Sequence, residues 1–484
     1  MLNELIWFPT NKCFIGGKWV SSSTAERIII ENPSSAEVLT EVAKGSAEDI
    51  DRAVTAAEKS LLNDWGQKTA AQRSNVLFKM SNLVLKYADK LAKLECLDVG
   101  KPLSQAKNDV IALARYLEFY GGSADKIHGI TIPYGENFTV YTLRERLGIT
   151  AHIIPWNYPM QIIGRSIGAS LAMGNSCVLK PSEEACLTAL AFGEIAREAD
   201  LPPGALNIVP GYGIEAGVNL ASHPKINHIS FTGSFRVGSQ VQECAAKNVV
   251  TTTLELGGKS PQIVFNDADV NKALPTLVNA GIQNAGQTCS ASSRILVQRG
   301  IFEELVQKMT SRYNLLRVGP ALEDLELGPL ISLRQIERVI DFERNAQDIE
   351  KVAEGSILDP SGQNGFFLSP KLFVSENPNH ILAQREIFGP IQVIIPFESE
   401  EEAISIANST EYGLVASIWS ANGARQMRLA KAIKAGQIFI NNYGAGGGIE
   451  LPFGGIGKSG HGREKGFEAL YGFSQVKTVA ANHE

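Results

Sequence analysis

The chain has 484 residues, 44% of them apolar and 20% charged, with a net charge of −6. That length exceeds one compact core and predicts two or three domains, and the acidic balance argues against nucleic-acid or anionic-membrane partners. Residues 1–10 lack a basic segment followed by an apolar run, and the most apolar stretch, 147–163, is broken by His152, Pro155, Asn157 and Pro159. Neither a secretory leader nor a membrane span is expected, and a cytoplasmic protein is.

In chain order, short strands are predicted at 14–20 and 28–30. Residues 46–60 read as a helix with Ser46 as N-cap and Asp49 three residues on. Val76, Met80, Leu83, Tyr87, Leu91 and Leu94 recur every three or four residues with charged residues between them, which predicts one long amphipathic helix. Another helix at about 103–119 stops at Gly121-Gly122. Residues 130–146 change character: Phe138, Val140, Tyr141 and Leu143 favour extended backbone beyond a Pro133-Tyr134-Gly135 turn, so this segment is expected to project as an arm.

From 148 to 265, strand-like runs (149–154, 176–179, 205–209, 226–231, 251–254) alternate with helix-like runs (160–173, 183–198, 214–221, 236–247). That alternation predicts a doubly wound parallel sheet, and a second one from 270 to about 440 predicts another. The expected fold class is α/β, with two doubly wound, Rossmann-like domains and a small β arm. Ligands in such sheets bind at the carboxyl ends of strands, where the motifs are mostly expected to sit. The glycine-rich stretches 444–448 and 454–460 read as loops.

The stretch Leu254-Glu255-Leu256-Gly257-Gly258-Lys259-Ser260-Pro261 places a carboxylate 34 residues ahead of the thiol in Asn284-Ala285-Gly286-Gln287-Thr288-Cys289-Ser290. A strand (262–265) and a helix-like segment (270–283) are predicted between them. A thiolate is a strong nucleophile, and a carboxylate can activate water to release what the thiolate captures. The flanking glycines permit close backbone approach or positive φ, which a reaction site needs. The other five cysteines (13, 96, 177, 186, 244) are scattered without the short spacings of a zinc knuckle or redox pair, so they read as structural in a reducing compartment, and no metal is expected.

Further motifs lie at predicted strand–helix boundaries. Pro155-Trp156-Asn157-Tyr158-Pro159 offers a side-chain amide, and Leu179-Lys180-Pro181-Ser182-Glu183 is read as opening a helix with Ser182 as cap. Phe231-Thr232-Gly233-Ser234, with Gly238, puts a glycine and a hydroxyl at a helix start, a fitting seat for pyrophosphate. Gly211-Tyr212-Gly213 with Gly217 imitates a dinucleotide loop, but its third glycine comes one residue late, and it reads as a turn. Glu386-Ile387-Phe388-Gly389-Pro390 precedes an apolar strand (391–395). Leu451-Pro452-Phe453-Gly454-Gly455 and Ser459-Gly460-His461-Gly462-Arg463-Glu464 follow; His461 reads as exposed or structural.

Together these stretches resemble the signatures of the aldehyde dehydrogenase superfamily over nearly the whole chain. The resemblance implies NAD(P)-dependent oxidation of a small-molecule aldehyde to a carboxylic acid. Cys289 would form a thiohemiacetal and then a thioester, Asn157 and the Cys289 N–H would hold the oxyanion, and Glu255 would activate water. Cofactor contacts are implied at Trp156, Lys180, Glu183, Gly233, Ser234, Glu386 and Phe388. Glu183 would repel a 2′-phosphate and so favour NAD, with NADP left open.

For the substrate, Tyr158 and Arg165 are candidate contacts. Arg165 occupies the position where semialdehyde dehydrogenases of the family grip a carboxylate, although the second Arg of that clamp is Gln283 here. A broad aliphatic or aromatic aldehyde is an equal alternative. Glu464 would be a reserve base or relay, or else structural. The implied division is 1–125 with 147–254 for NAD binding, 255–440 for catalysis, and 126–146 with 465–484 as an oligomerisation arm and tail of a homodimer or homotetramer. A CoA-acylating enzyme and an inactive scaffold are the alternatives; Glu255 counts against the first, and the intact Cys, Glu and Asn against the second.

Overall fold

The computed structural model describes residues 2–346, 348–358, 364–444 and 448–484. Its largest sheet has eight strands, in the order Lys18–Val20, Cys13–Ile15, Leu206–Ile208, Ser176–Lys180, Ile149–Ile153, His228–Thr232, Thr251–Glu255 and Gly460–His461. The five central strands are parallel. In sequence order they run 3-2-1-4-5, so the order reverses between Ile149–Ile153 and His228–Thr232, and a crevice opens beyond their carboxyl ends. Alternate side chains enter opposite cores: Val178 joins one, Cys177 and Leu179 the other. Such a strand is apolar on both faces, which explains why it reads as a continuous apolar run.

A second sheet has seven strands: Glu350–Glu354, Lys371–Val374, Ile391–Phe397, Arg294–Gln298, Pro261–Val264, Val415–Trp419 and Gln437–Ile440. All but the antiparallel edge strand Glu350–Glu354 are parallel. The α/β class with two parallel sheets is therefore observed. The chain passes from the first sheet to the second through residues 256–260, so the carboxyl end of Thr251–Glu255 lies one short link from the amino end of Pro261–Val264. A third sheet pairs Phe138–Arg146 with Thr131–Ile132 on one side and with Ser474–Asn482 on the other, over nine residue pairs.

Several expected elements are corrected. The long amphipathic helix is two, Ala70–Lys86 and Ala88–Val99, divided at Tyr87. The periodicity persists across the break because both helices bury the same stripe. The helix expected from Glu183 starts at Leu187, so Ser182 does not cap it. The turn read at 211–217 begins a helical segment, Gly213–Gly217. The helix after Pro159 widens into a π-helical turn over Ile163–Ile167 before resuming as Gly168–Ala172. Of the loop read at 444–448, residues 445–447 lie outside the described residues. Among the described residues no helix is long and apolar enough to cross a membrane.

Candidate functional site

Strand register assembles the site. Ile153 lies opposite Lys180 and Phe231, and Thr232 opposite Glu255, so four strands end at nearly one level. The residues that follow, Trp156, Asn157, Gly233 and Ser234, line one cavity of about 770 Å³. Cys289, Glu386 and Phe388 reach it from the other side. They precede the strands Arg294–Gln298 and Ile391–Phe397, so they sit at amino ends of the second sheet, not at the carboxyl ends expected for the motifs. The cavity thus lies between the carboxyl edge of one sheet and the amino edge of the other.

The thiol sits on a tightly held loop. The helix Val270–Ile282 stops, and Asn284, Ala285 and Gly286 follow with φ of 50°, 53° and 73°. Left-handed backbone at two residues with a Cβ costs roughly 1–2 kcal/mol each, and side chains offset it. Gln105 Oε1 accepts from the Asn284 N–H at 2.9 Å, Asn284 Nδ2 donates to the Asn157 carbonyl at 3.1 Å, and Gln287 Oε1 accepts from Ile331 N–H at 3.0 Å. The Tyr158 hydroxyl meets Thr288 Oγ1 at 2.9 Å, and the Tyr443 hydroxyl donates to the Ser290 carbonyl. At Gly286 a Cβ would lie 2.1 Å from the Gly389 carbonyl oxygen, so only glycine fits.

Cys289 is partly exposed and lines the cavity; Cys13, Cys96, Cys177 and Cys186 are buried. Cys244 is also partly exposed and lines the cavity. Burial pushes the Cys289 thiol up to about 11; the Arg165 guanidinium draws it down, while Glu255 and Glu386 push it further up. Glu255 is 1% exposed, and among the described residues neither of its carboxylate oxygens has a hydrogen-bond partner. Burial, and then the like charge of Glu464, raise its pKa well above the usual carboxylate range. Such a group is poised as a base once deprotonated.

The structure pairs Arg165 with Glu464. Arg165, on the π-helical turn, forms a buried ion pair through Nε with Glu464 Oε2, and its Nη2 donates to Thr232 Oγ1 at 3.1 Å. Glu464 Oε1 accepts from the Ser230 hydroxyl at 2.7 Å. His461 is exposed and meets Gln242 Oε1 at 2.9 Å.

Toward the other end, Ser234 caps the helix Phe235–Ala246 by accepting from Val237 N–H, leaving the helix N-terminus facing the cavity. Glu183 lines the cavity. Lys180 does not; it is buried beneath and donates to Glu183 Oε2 at 2.9 Å. Burial works against the Glu183 charge, but the Lys180 ammonium holds its pKa below the usual carboxylate range. Glu386 Oε1 accepts from the Gly258 N–H at 3.1 Å, and a Cβ at Gly257 would lie 2.4 Å from the Glu386 carboxylate. Phe388, at φ 61°, packs edge-on against Trp156 with centroids 5.4 Å apart. A helix N-terminus, two carboxylates and an aromatic pair in one cavity of this size fit a dinucleotide.

Sequence reasoning missed Lys465 and Phe453. Both line the cavity, and Lys465 is 2% exposed. A lysine beside a glutamate near a chain end carries no local signal of burial.

The model of the aldehyde dehydrogenase family matches residues 19–479. Aldehyde dehydrogenase family 2 member B4, mitochondrial, of Arabidopsis thaliana is 40% identical over 483 residues, covering 99% of this chain and 89% of that protein. A crystal structure of a provisionally assigned aldehyde dehydrogenase from Burkholderia cenocepacia superposes with a TM-score of 0.97 at 55% identity, covering 98% of this chain and 100% of that one. An NAD⁺ complex of aldehyde dehydrogenase from Bacillus cereus gives 0.95 at 36% identity, covering 98% and 97%.

Proposed function

The chain belongs to the aldehyde dehydrogenase family, oxidoreductases acting on aldehydes, and from that premise we propose that it oxidises an aldehyde to a carboxylic acid with NAD, through a covalent intermediate on Cys289. The observation that carries the reading is the single cavity shared by Cys289, Glu255, Asn157 and the helix N-terminus at Ser234.

Cys289, as thiolate, attacks the aldehyde carbon, and the carbonyl oxygen becomes an alkoxide. Asn157 Nδ2 and the Cys289 backbone N–H are the oxyanion donors. NAD would be held by Trp156, Glu183, Gly233, Ser234, Glu386 and Phe388, with Lys180 fixing the Glu183 carboxylate from beneath the wall, and when bound it supplies the acceptor for the hydride that leaves the substrate carbon, so that a thioester remains on Cys289. Glu255 takes a proton from water, the hydroxide adds to the thioester carbon, and the C–S bond breaks to release the acid and the thiolate. Glu183 favours NAD over NADP through like-charge repulsion of a 2′-phosphate.

The test is initial-rate absorbance with a panel of aldehydes and either NAD or NADP. Reduction of NAD by wild type, abolished in Cys289→Ala with NAD binding intact, is expected; dehydrogenase activity retained in that variant overturns the reading.

The same reading divides the chain into a cofactor-binding domain (1–125 and 147–254), a catalytic domain (255–440) and an arm and tail (126–146 and 465–484). It makes the working form a homodimer or homotetramer. In support, Ser474–Asn482 is an edge strand of the three-stranded sheet, and Ile130, Tyr134, Leu143 and Val476 expose apolar side chains around it.

A further inference from the structure

We propose that Lys101 is a positioning residue for the nucleophile: clamped between two buried acids, it fixes the ring of Tyr158, and the Tyr158 hydroxyl in turn fixes the loop that carries Cys289. The inference deepens the aldehyde-oxidation reading above and rests on it. It starts from a buried ion cluster to which the mechanism gives no task. Lys101 and Glu95 are 0% exposed and Asp109 is 2% exposed. The Lys101 ammonium lies 2.9 Å from Glu95 Oε1 and also pairs with Asp109 Oδ2. Withdrawing three ionisable groups from water is costly, and apolar side chains of similar volume often fill a core at least as well. Such a cluster points to a use other than bulk stability.

What the cluster holds is an aromatic ring. The ammonium sits 3.9 Å from the centroid of Tyr158. Burial works against its charge, but Asp109 and then Glu95 hold its pKa above the usual lysine range, so it stays a cation. Asp109 Oδ1 also accepts from Gln161 Nε2 at 2.6 Å, which ties the cluster to the helix that follows Tyr158. A cation over an aromatic face is attracted to the ring and draws electron density from it, which strengthens a phenol as a donor.

That donor points at the nucleophile loop. The Tyr158 hydroxyl meets Thr288 Oγ1 at 2.9 Å, and the single hydroxyl hydrogen of Thr288 goes to the Gln283 carbonyl at 3.2 Å, so Tyr158 is the donor toward Thr288. Thr288 precedes Cys289 and Ser290 follows it, and the Tyr443 hydroxyl donates to the Ser290 carbonyl. The nucleophile thus stands between two residues, each held by a tyrosine hydroxyl. The stretch around Lys101 holds the start of the loop too: Gln105 Oε1 accepts from the Asn284 N–H at 2.9 Å. Tyr158 also directly follows Asn157, so a ring held still fixes the oxyanion donor together with the thiol.

The experiment measures kcat and KM for propanal, hexanal and benzaldehyde with NAD, and the pH dependence of Cys289 alkylation by iodoacetamide, in wild type, Lys101→Met, Tyr158→Phe and the double variant. Small misplacements of a reacting group are expensive, so each single variant should lower kcat by about tenfold or more, with a smaller change in KM. Because both act through one ring, the double variant should lose little more than the worse single one. Arg165, Glu255 and Glu386 are the charges that act most on the thiol, so the alkylation midpoint should stay at its wild-type pH. Losses that multiply in the double variant would mean that Lys101 does not act through Tyr158, and a shifted midpoint would make its role electrostatic; either overturns the proposal. If Lys101→Met fails to fold, Lys101→Gln, which can still donate to a carboxylate, takes its place. Tyr158→Phe disturbs no buried charge, so wild-type kcat in that variant overturns the proposal by itself while leaving the proposed function standing. No oxidation of any of the three aldehydes by wild type overturns both.

Discussion

The side-chain amide of Asn157 donates to the backbone carbonyl of Gln287, 2.9 Å away and two residues before Cys289. Asn157 is also held from behind, since its own carbonyl accepts from Asn284. One of its two amide hydrogens is therefore spent on fixing the nucleophile loop, and the other is left for an oxyanion. Asn157→Ala should lower kcat by about 10²–10³ with a smaller change in KM. Steady-state kinetics check this, and unchanged kcat would remove Asn157 from the mechanism.

The Arg165 guanidinium favours the Cys289 thiolate, opposing the burial that pushes the thiol up to about 11. Alkylation by iodoacetamide follows the thiolate fraction. The rate should rise with pH through the alkaline range in wild type. In Arg165→Met the profile should shift to higher pH, so that alkylation at pH 8 slows severalfold. A faster or unchanged rate would contradict this.

Glu255 couples activity to stability in opposite senses. A carboxyl group raised by burial contributes stability fully below its ordinary value of 4.5 and loses that contribution as pH rises through the raised folded value. The deprotonated form that hydrolysis needs is thus the less stable one. Glu255→Gln should raise the melting temperature more at pH 9 than at pH 5. It should also leave a first turnover of NADH while slowing the steady state by about 10²–10⁴. Stopped-flow absorbance and melts at the two pH values read both effects.

The parallel sheet of residues 149–255 is legible in the sequence because strands buried on both faces are uninterrupted apolar runs ending in turn residues. The Ser46 cap is equally legible, and its reciprocal hydrogen bonds with Asp49 are present. The break at Tyr87 is not, because it leaves the apolar stripe in phase. Nor is the π-helical turn at 163–167. That turn packs Gly164 against the Tyr116 ring, where a Cβ would lie 2.7 Å away, a contact made across 48 residues of sequence. Arg165 and Glu464 lie 464 − 165 = 299 residues apart in the sequence, and no local pattern announces such a pair.

Glu183 offers a test of cofactor choice. Its carboxylate lines the cavity and is held charged by Lys180. A 2′-phosphate placed near it would meet like charge, worth a few kcal/mol at an effective dielectric of about 20. Glu183→Ser should raise kcat/KM with NADP relative to NAD by roughly tenfold or more. An unchanged ratio would mean that the carboxylate does not face the 2′ position.

Gly286 tests how firmly the loop geometry is imposed. Its φ of 73° is strained for alanine, and the atom that an added Cβ would meet at 2.1 Å is a backbone oxygen, that of Gly389. That oxygen cannot simply retreat, because Gly389 leads through Pro390 into the inner strand Ile391–Phe397 and packs against Val339. Gly286→Ala should therefore destabilise by more than about 2 kcal/mol, combining left-handed strain with overpacking. Gly213→Ala is the control: nothing lies within 4 Å of its Cβ and its φ is not positive, so its melting temperature should stay near that of wild type. Because Gly286 stands three residues from Cys289, the fraction of Gly286→Ala that remains folded should also lose kcat. Melts with NADH initial rates below the transition separate the two losses, and wild-type activity in the folded fraction would show that the loop tolerates displacement without moving the thiol.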